Sequence, residues 1–324
     1  MKWNIKMMFM TMILSSMMVV SSSNWLSMWM GMEINMISFV PMMVLNNKEP
    51  SKSMMIYFLV QSISSSMLLY SLMTMWLLSP GNHSSLLINM MMVSMMIKSG
   101  LAPMHTWAII IMNNMSWIMC IILMSWQKLA PLSVMFTISE SKTMLTMACI
   151  SAMVGSIGGI NQTSLRKLMG YSSISHMGWM LTMAHSNKWL LYLFMYSLTA
   201  AMTMMMFSKE NLFHINQLSM MNKTNKISLS INMLSMSGLP PLMGFLPKWM
   251  AVQYMIESKM IIMLLIMIMS SLLTLMYYMS IMFPIMMMSM TSNKTMVSYT
   301  ENNYSMLTIM SLTMPVMLTL NALI

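Results

Sequence analysis

Aspartate is absent from the chain, arginine occurs once, at Arg166, and only 7% of the 324 residues are charged. A soluble domain carries roughly 25% charged residues, so a sequence this poor in charge cannot clothe a water-facing surface. A soluble enzyme is excluded before any motif is read. Cysteine is nearly as scarce. Cys120 and Cys149 stand alone in apolar runs, 29 apart, a spacing that suits neither a metal site nor a redox pair. They read as buried, inert thiols. Gly-rich nucleotide loops are missing, and Gly158-Gly159 reads as close helix packing. No His/Glu spacing resembles a metal site, and no pair of histidines on separate spans supports a haem.

What is present is apolar. Hydrophobic residues make up 58% of the chain, and methionine alone supplies 64 positions. Met is apolar and helix-compatible, so packing tolerates it in place of Leu, Ile and Val, though no packing requirement demands it. A coding bias explains it better, such as an AT-rich genome that reads an Ile codon as Met, as many animal mitochondria do. At roughly 25–30 residues per span and loop, the length allows about eleven to thirteen transmembrane helices in one bundle. Apolar stretches between polar breaks predict spans at 4–20, 25–45, 53–78, 85–111, 117–137, 142–160, 166–184, 188–207, 227–256, 259–284 and 304–323. The expected fold is all-α, a polytopic membrane bundle of about eleven transmembrane helices. The whole chain, 1–324, is expected to be a single transmembrane domain.

Lys2 and Lys6 precede the apolar run 7–20 and then Ser21-Ser22-Ser23, the order of a cleaved signal peptide. A retained first helix is favoured, because the alternation of loops works only if this segment spans. No amphipathic, Arg-rich transit peptide is present, so a mitochondrial location implies synthesis inside the organelle. With eleven spans, ten basic loop residues fall on the side of the N-terminus, Arg166, Lys209 and Lys226 among them, against Lys142, Lys188 and Lys259 opposite. The positive-inside rule then puts the N-terminus in the matrix or cytoplasm and the C-terminus in the opposite compartment. The net charge of +10 is thus a topology signal, and a nucleic-acid partner is not implied.

Four ionisable residues remain inside spans: Glu33, Lys98, Lys128 and Lys248. Each costs roughly 2.5–3.5 kcal/mol at the bilayer centre if it faces lipid alone. Glu33, Lys98 and Lys128 lie roughly 12–20 Å deep at 1.5 Å per residue, Lys248 lies on a broken span, and together they suggest a lateral row near the midplane. Buried ion pairs that lock helix packing are one reading. Glu33 can neutralise one lysine at a time, however, so a lysine excess remains, and a proton relay accounts for it better. Two of these helices are also interrupted. Ser99-Gly100-Leu101-Ala102-Pro103 follows Lys98, and Gly238-Leu239-Pro240-Pro241, Gly244 and Pro247 precede Lys248. Proline breaks helices, and in a membrane such breaks survive only where protein or water satisfies the freed carbonyls, as in transporters. A simple kink accounts equally well for Pro131. His176 lies within a span among hydroxyls, where proton passage and hydrogen-bonded packing are both open. His105 is a weaker candidate, and His83, His185 and His214 fall near loops.

The stretches Trp29 to Asn35, Lys98 to His105, Trp126 to Pro131, Gly158 to Trp179 (GGINQTSLRKLMGYSSISHMGW) and Gly238 to Trp249 (GLPPLMGFLPKW) together resemble one family. It is the subunit 2 family of mitochondrial NADH dehydrogenases, antiporter-like membrane subunits of respiratory complex I, here of invertebrate type. The resemblance runs in order over about residues 25–256, and beyond 284 it is one of hydrophobicity only. It implies an antiporter-like core, eleven helices with two broken, and the mitochondrial inner membrane. It also implies roles: Glu33 as the acid paired with Lys98, Lys128 as the central relay lysine, Lys248 as the lysine near the exit, and His176 on the polar axis. Leu101 stands where the family often has Ala, a change of packing only. The implied partners are other complex I membrane subunits, with 4L and 4 as neighbours, and lipids. FMN, iron–sulfur clusters, NADH and ubiquinone belong to other parts of the complex, and no cofactor is expected on this chain.

Two rivals belong to different classes. One is a free-standing cation/proton antiporter subunit, for which Asn82-His83-Ser84 is a glycosylation acceptor if it faces a secretory lumen. The other is a purely structural membrane subunit.

Overall fold

Among the described residues every named element is a helix. Hydrocarbon permits little else, because a backbone without water must satisfy its own donors and acceptors. The structure is a computed structural model and describes residues 2–46, 50–77, 85–138, 141–184, 186, 188–221, 223–240 and 242–291. The span expected at 304–323 lies outside them, as do His83 and His185.

The chain divides into two compact units, Met1–Ser151 and Ala152–Ile324. In the first, α1 (Lys2–Ser21) and α2 (Trp25–Asn46) form a helical hairpin. Gly31 permits their approach, since a Cβ there would strike Val19 and the Ser15 carbonyl. α3 (Pro50–Leu77) packs on α2 and on α4 (Ser85–Ser99). After them come α5 (Thr106–Asn114), α6 (Trp117–Met124) and α7 (Trp126–Ile138), and α7 rests on α1, α4 and α6. The boundary between the units falls within α8 (Ser141–Gly159). The second unit holds α9 (Leu165–Thr182), α10 (Trp189–Lys209), a 3-10 turn at Ile215–Met220, α11 (Lys223–Ser237), α12 (Phe245–Glu257) and α13 (Ile261–Thr291). There α10 packs on α9, α11 and α12, while α13 packs on α9, α11 and α12.

Methionine fills much of the interior: Met12, Met43, Met92 and Met95 in the first unit and Met204, Met233 and Met255 in the second are nearly inaccessible. Its three rotatable bonds let it fill irregular gaps. Buried hydroxyls are quenched locally. Ser64 donates to the Gln61 carbonyl, Ser172 to Met169 and Thr203 to Ala200, each three residues back. The outward surface stays apolar, as on α13, where Ile261, Leu265, Met269, Leu272 and Met276 are exposed. Among the described residues four helical stretches are long and apolar enough to cross a membrane: Ser51–Leu77, Trp117–Ile138, Trp189–Lys209 and Ile261–Met287.

The expected runs 85–111, 117–137 and 227–256 each consist of two helices end to end. In the second of these the interruption is at Ser125, and Pro131 sits inside α7. Ser125 departs there to φ −106 and ψ −75, and its hydroxyl donates to the Ile121 carbonyl, a back-bond that bends helices. Lys226, expected in a loop, lies in the first turn of α11 and is only 4% exposed.

Candidate functional site

α4 stops because Gly100 takes φ +72, a left-handed conformation that suits glycine. The Gly100 N–H donates to the Ile97 carbonyl at 3.2 Å and the Leu101 N–H to the Met96 carbonyl at 3.0 Å. These are the paired bonds of a Schellman ending. Two side chains serve the last turn as well: Trp107 Nε1 donates to the Ile97 carbonyl and Gln61 Nε2 to the Lys98 carbonyl. The Met96, Ile97 and Lys98 carbonyls are therefore satisfied without water. Lys98 occupies that turn with its side chain 5% exposed, and its Nζ lies 3.9 Å from Glu33 Oε1 on α2. At an effective dielectric near 20 such a separation gives an attraction of about 4 kcal/mol before desolvation. It exceeds hydrogen-bonding reach, and Glu33 Oε1 makes no hydrogen bond. The two groups attract without being locked together.

Lys128 is buried on α7, three residues beyond the Ser125 stop. Its neighbours tie that helix to three others. Trp126 Nε1 donates to Ser16 Oγ on α1 at 2.9 Å, and Gln127 Nε2 donates to Asn35 Oδ1 on α2 at 3.0 Å. The Tyr57 hydroxyl on α3 donates to Gln127 Oε1 at 3.5 Å. Asn35 is two residues from Glu33, and Gln127 adjoins Lys128. Hydrogen bonds thus join the helix of the acid to the helix of the central lysine.

In the second unit α11 ends on the same device. Gly238 has φ +82, its N–H donates to the Ser235 carbonyl at 3.0 Å, and the Leu239 N–H reaches the Leu234 carbonyl at 3.4 Å. Lys248 is buried on α12, and its Nζ donates to the Ser237 carbonyl at 2.7 Å. A cation there sits at the negative end of the α11 dipole. Nζ also lies 6.0 Å from the centre of the Trp179 ring, the outer reach of a cation–π contact. His176 is buried on α9, its Nδ1 3.0 Å from the Tyr192 hydroxyl and its ring 4.7 Å from that of Tyr196. Glu33, Lys98 and Lys128 thus lie in the first unit, where Glu33 and Lys98 meet, and Lys248 and His176 belong to the second. His105 stays at the turn after α4, its Nδ1 3.1 Å from the Pro103 carbonyl, and His214 is exposed. Cys120 and Cys149 are buried, and neither is in a disulfide. Among the described residues no three of His, Cys, Asp or Glu gather as a metal site.

The family described as NADH:quinone oxidoreductase/Mrp antiporter, transmembrane, matches residues 22–274. The NADH-ubiquinone oxidoreductase chain 2 of Anopheles gambiae is 38% identical over 301 residues, covering 90% of this chain and 88% of its own. The chain belongs to the NADH-ubiquinone oxidoreductase chain 2 family. The chain 2 of Locusta migratoria is 39% identical over 296 residues, with 87% and 85% of the two chains covered. A chain of respiratory complex I from Thermus thermophilus has the same fold, with a TM-score of 0.81 at 18% identity, over 97% of this chain and 77% of that one. The chain 2 motifs now have structural roles beyond their charges. In Gly158 to Trp179, a Cβ at Gly158 would strike the Tyr171 ring, so this segment is built for close packing of α8 on α9. Leu101 is fully buried and its N–H closes the α4 ending.

Sequence reasoning missed Gln61, Tyr57, Asn35, Gln127 and Tyr192. Asn35 and Gln127 carry a signal, since each lies within two positions of an ionisable residue inside a family motif. Gln61, Tyr57 and Tyr192 carry none that the sequence alone displays.

Proposed function

We propose that this chain is a membrane-arm subunit of NADH:ubiquinone oxidoreductase that moves protons through Glu33, Lys98, Lys128 and Lys248, with His176 on the same polar axis. The observation that carries the proposal is the Glu33–Lys98 pair, 3.9 Å apart at a helix ending whose Ile97 and Lys98 carbonyls are already bonded. An ion pair held without a hydrogen bond opens at modest cost, and Lys98 then has a proton to share with Lys128. Two unit charges about 7 Å apart repel by roughly 2 kcal/mol at an effective dielectric near 20, enough to bias which lysine is occupied. Quinone reduction elsewhere in the complex supplies the free energy. FMN, iron–sulfur clusters, NADH and ubiquinone belong to other subunits, and this chain has no redox activity alone.

In this reading the whole chain works as one transmembrane domain of eleven spans, two of them broken, in the mitochondrial inner membrane. Its N-terminus faces the matrix and its C-terminus the intermembrane space. Subunits 4L and 4 are its neighbours. Lys128→Met in the assembled complex, reconstituted in vesicles, tests the relay. Uncoupled electron transfer from NADH to ubiquinone is expected to persist while protons moved per electron fall. An unchanged ratio overturns the relay. The family description also covers Mrp antiporters, which keeps a free-standing cation/proton antiporter as the second reading.

A further inference from the structure

Lys248 lies at the far end of a buried polar seam between α10 and α11. On α11 the polar residues Asn225, Ser228, Asn232 and Ser235 recur at intervals of 3, 4 and 3, which places them on one stripe of the helix. All four are at most 4% exposed. Hydrogen bonds show what the stripe meets: Asn225 Nδ2 donates to Glu210 Oε1 just beyond α10 at 2.6 Å, and Asn232 Nδ2 reaches Met206 Sδ at 3.0 Å. The α10 side continues with Thr203 and Thr199, both buried, at the spacing that keeps them in line with Met206 and Glu210. An interface between apolar helices has no packing need for such a line.

Midway along it Asn232 Oδ1 is buried and makes no hydrogen bond. Ser228 and Ser235 spend their protons on the Asn225 and Asn232 carbonyls of their own helix, so their oxygens remain as acceptors. A buried amide oxygen left unbonded costs free energy unless water meets it, and a polar seam is where ordered water is held. One end of the seam is a carboxylate, Glu210. The other is the last turn of α11, where Lys248 Nζ rests on the Ser237 carbonyl.

We propose that the α10–α11 seam is a hydrated proton path joining Glu210, just beyond the end of α10, to Lys248. A proton taken up at Glu210 passes from water to water past Asn232 and is added to the free amine of Lys248, and no other bond is made or broken. The proposal rests on the relay reading of Lys248.

Asn232→Leu dries the middle of the path, Asn232→Ser restores a polar atom there, and Lys248→Met is the reference, each in the assembled complex reconstituted in vesicles. Protons moved per electron should fall in Asn232→Leu to the level of Lys248→Met and recover in Asn232→Ser, with uncoupled electron transfer retained. A normal ratio in Asn232→Leu beside a lowered one in Lys248→Met overturns the seam, and normal ratios in both overturn the relay reading beneath it. If Asn232→Leu does not assemble, Ser228→Cys decides. Labelling of that thiol by a charged, water-soluble thiosulfonate, above the background of the unsubstituted complex, supports a wet seam. A thiol that stays unlabelled overturns it.

Discussion

A carbonyl oxygen in hydrocarbon has no water to fall back on, so its partner must come from a side chain, and Gln61 is that partner for Lys98. Gln61→Leu strands the oxygen and is expected to cost about 1–3 kcal/mol, read as a lower melting temperature of the purified complex. Gln61→Glu gives no relief, because an ionised carboxylate only accepts. Tyr192→Phe keeps the ring and removes the hydroxyl 3.0 Å from His176 Nδ1. If His176 serves the polar axis, proton pumping is expected to slow while uncoupled electron transfer is retained. Unchanged pumping in Tyr192→Phe marks the hydrogen bond as packing. The four ionisable residues inside spans were legible in the sequence because burying a charge in lipid is costly, so its presence needs a reason. Gln61 and Tyr192 were not, because a neutral polar residue in an apolar run does not reveal which distant atom it will meet. Lys226 was misread for the opposite reason, since a charge near the end of a span is ordinarily solvated.

At the scale of elements, α4 and α11 stop on the same three residues, Ser99-Gly100-Leu101 and Ser237-Gly238-Leu239, each with the glycine in the left-handed region. Glycine makes both stops. Any Cβ in that conformation costs about 1–2 kcal/mol. The surroundings then separate the two sites. At Gly238 an added Cβ would meet Lys248 Cδ at 2.8 Å, whereas at Gly100 its nearest neighbour is Ala108 Cβ at 3.2 Å. Gly238→Ala is therefore expected to lower both thermal stability and pumping more than Gly100→Ala. Equal effects would show that backbone strain alone matters. Gly244→Ala should be harsher still, because its Cβ would run into the Ser235 carbonyl, and loss of assembled complex is the expected readout. The stop at Ser125 was hidden from the sequence. No glycine or proline precedes it, and a serine hydroxyl turned back on its own helix leaves no pattern to read.

At the scale of the molecule, a surface that leaves Ile261, Leu265 and Leu272 exposed cannot persist in water. Membranes solubilised in mild detergent and run on a native gel should therefore carry this chain, identified by peptide mass, in the band that oxidises NADH. Its presence only in a small band without that activity would favour the free-standing antiporter. Apolar run lengths foretold an all-helical membrane chain, because lipid leaves so few alternatives, whereas the pairing of helices within each unit depends on contacts that run lengths do not encode. The two glycine endings, of α4 and of α11, also differ in what grips them. At the first, the next-to-last carbonyl, that of Lys98, is held by the neutral amide of Gln61, whose charge never changes. At the second the last carbonyl, that of Ser237, is held by Lys248 itself, and a charge-assisted hydrogen bond is roughly twice as strong as a neutral one. The hold on the end of α11 thus tightens whenever Lys248 gains a proton and slackens whenever it gives one up. The first ending is a fixed elbow, and the second is a spring wound by the proton it passes.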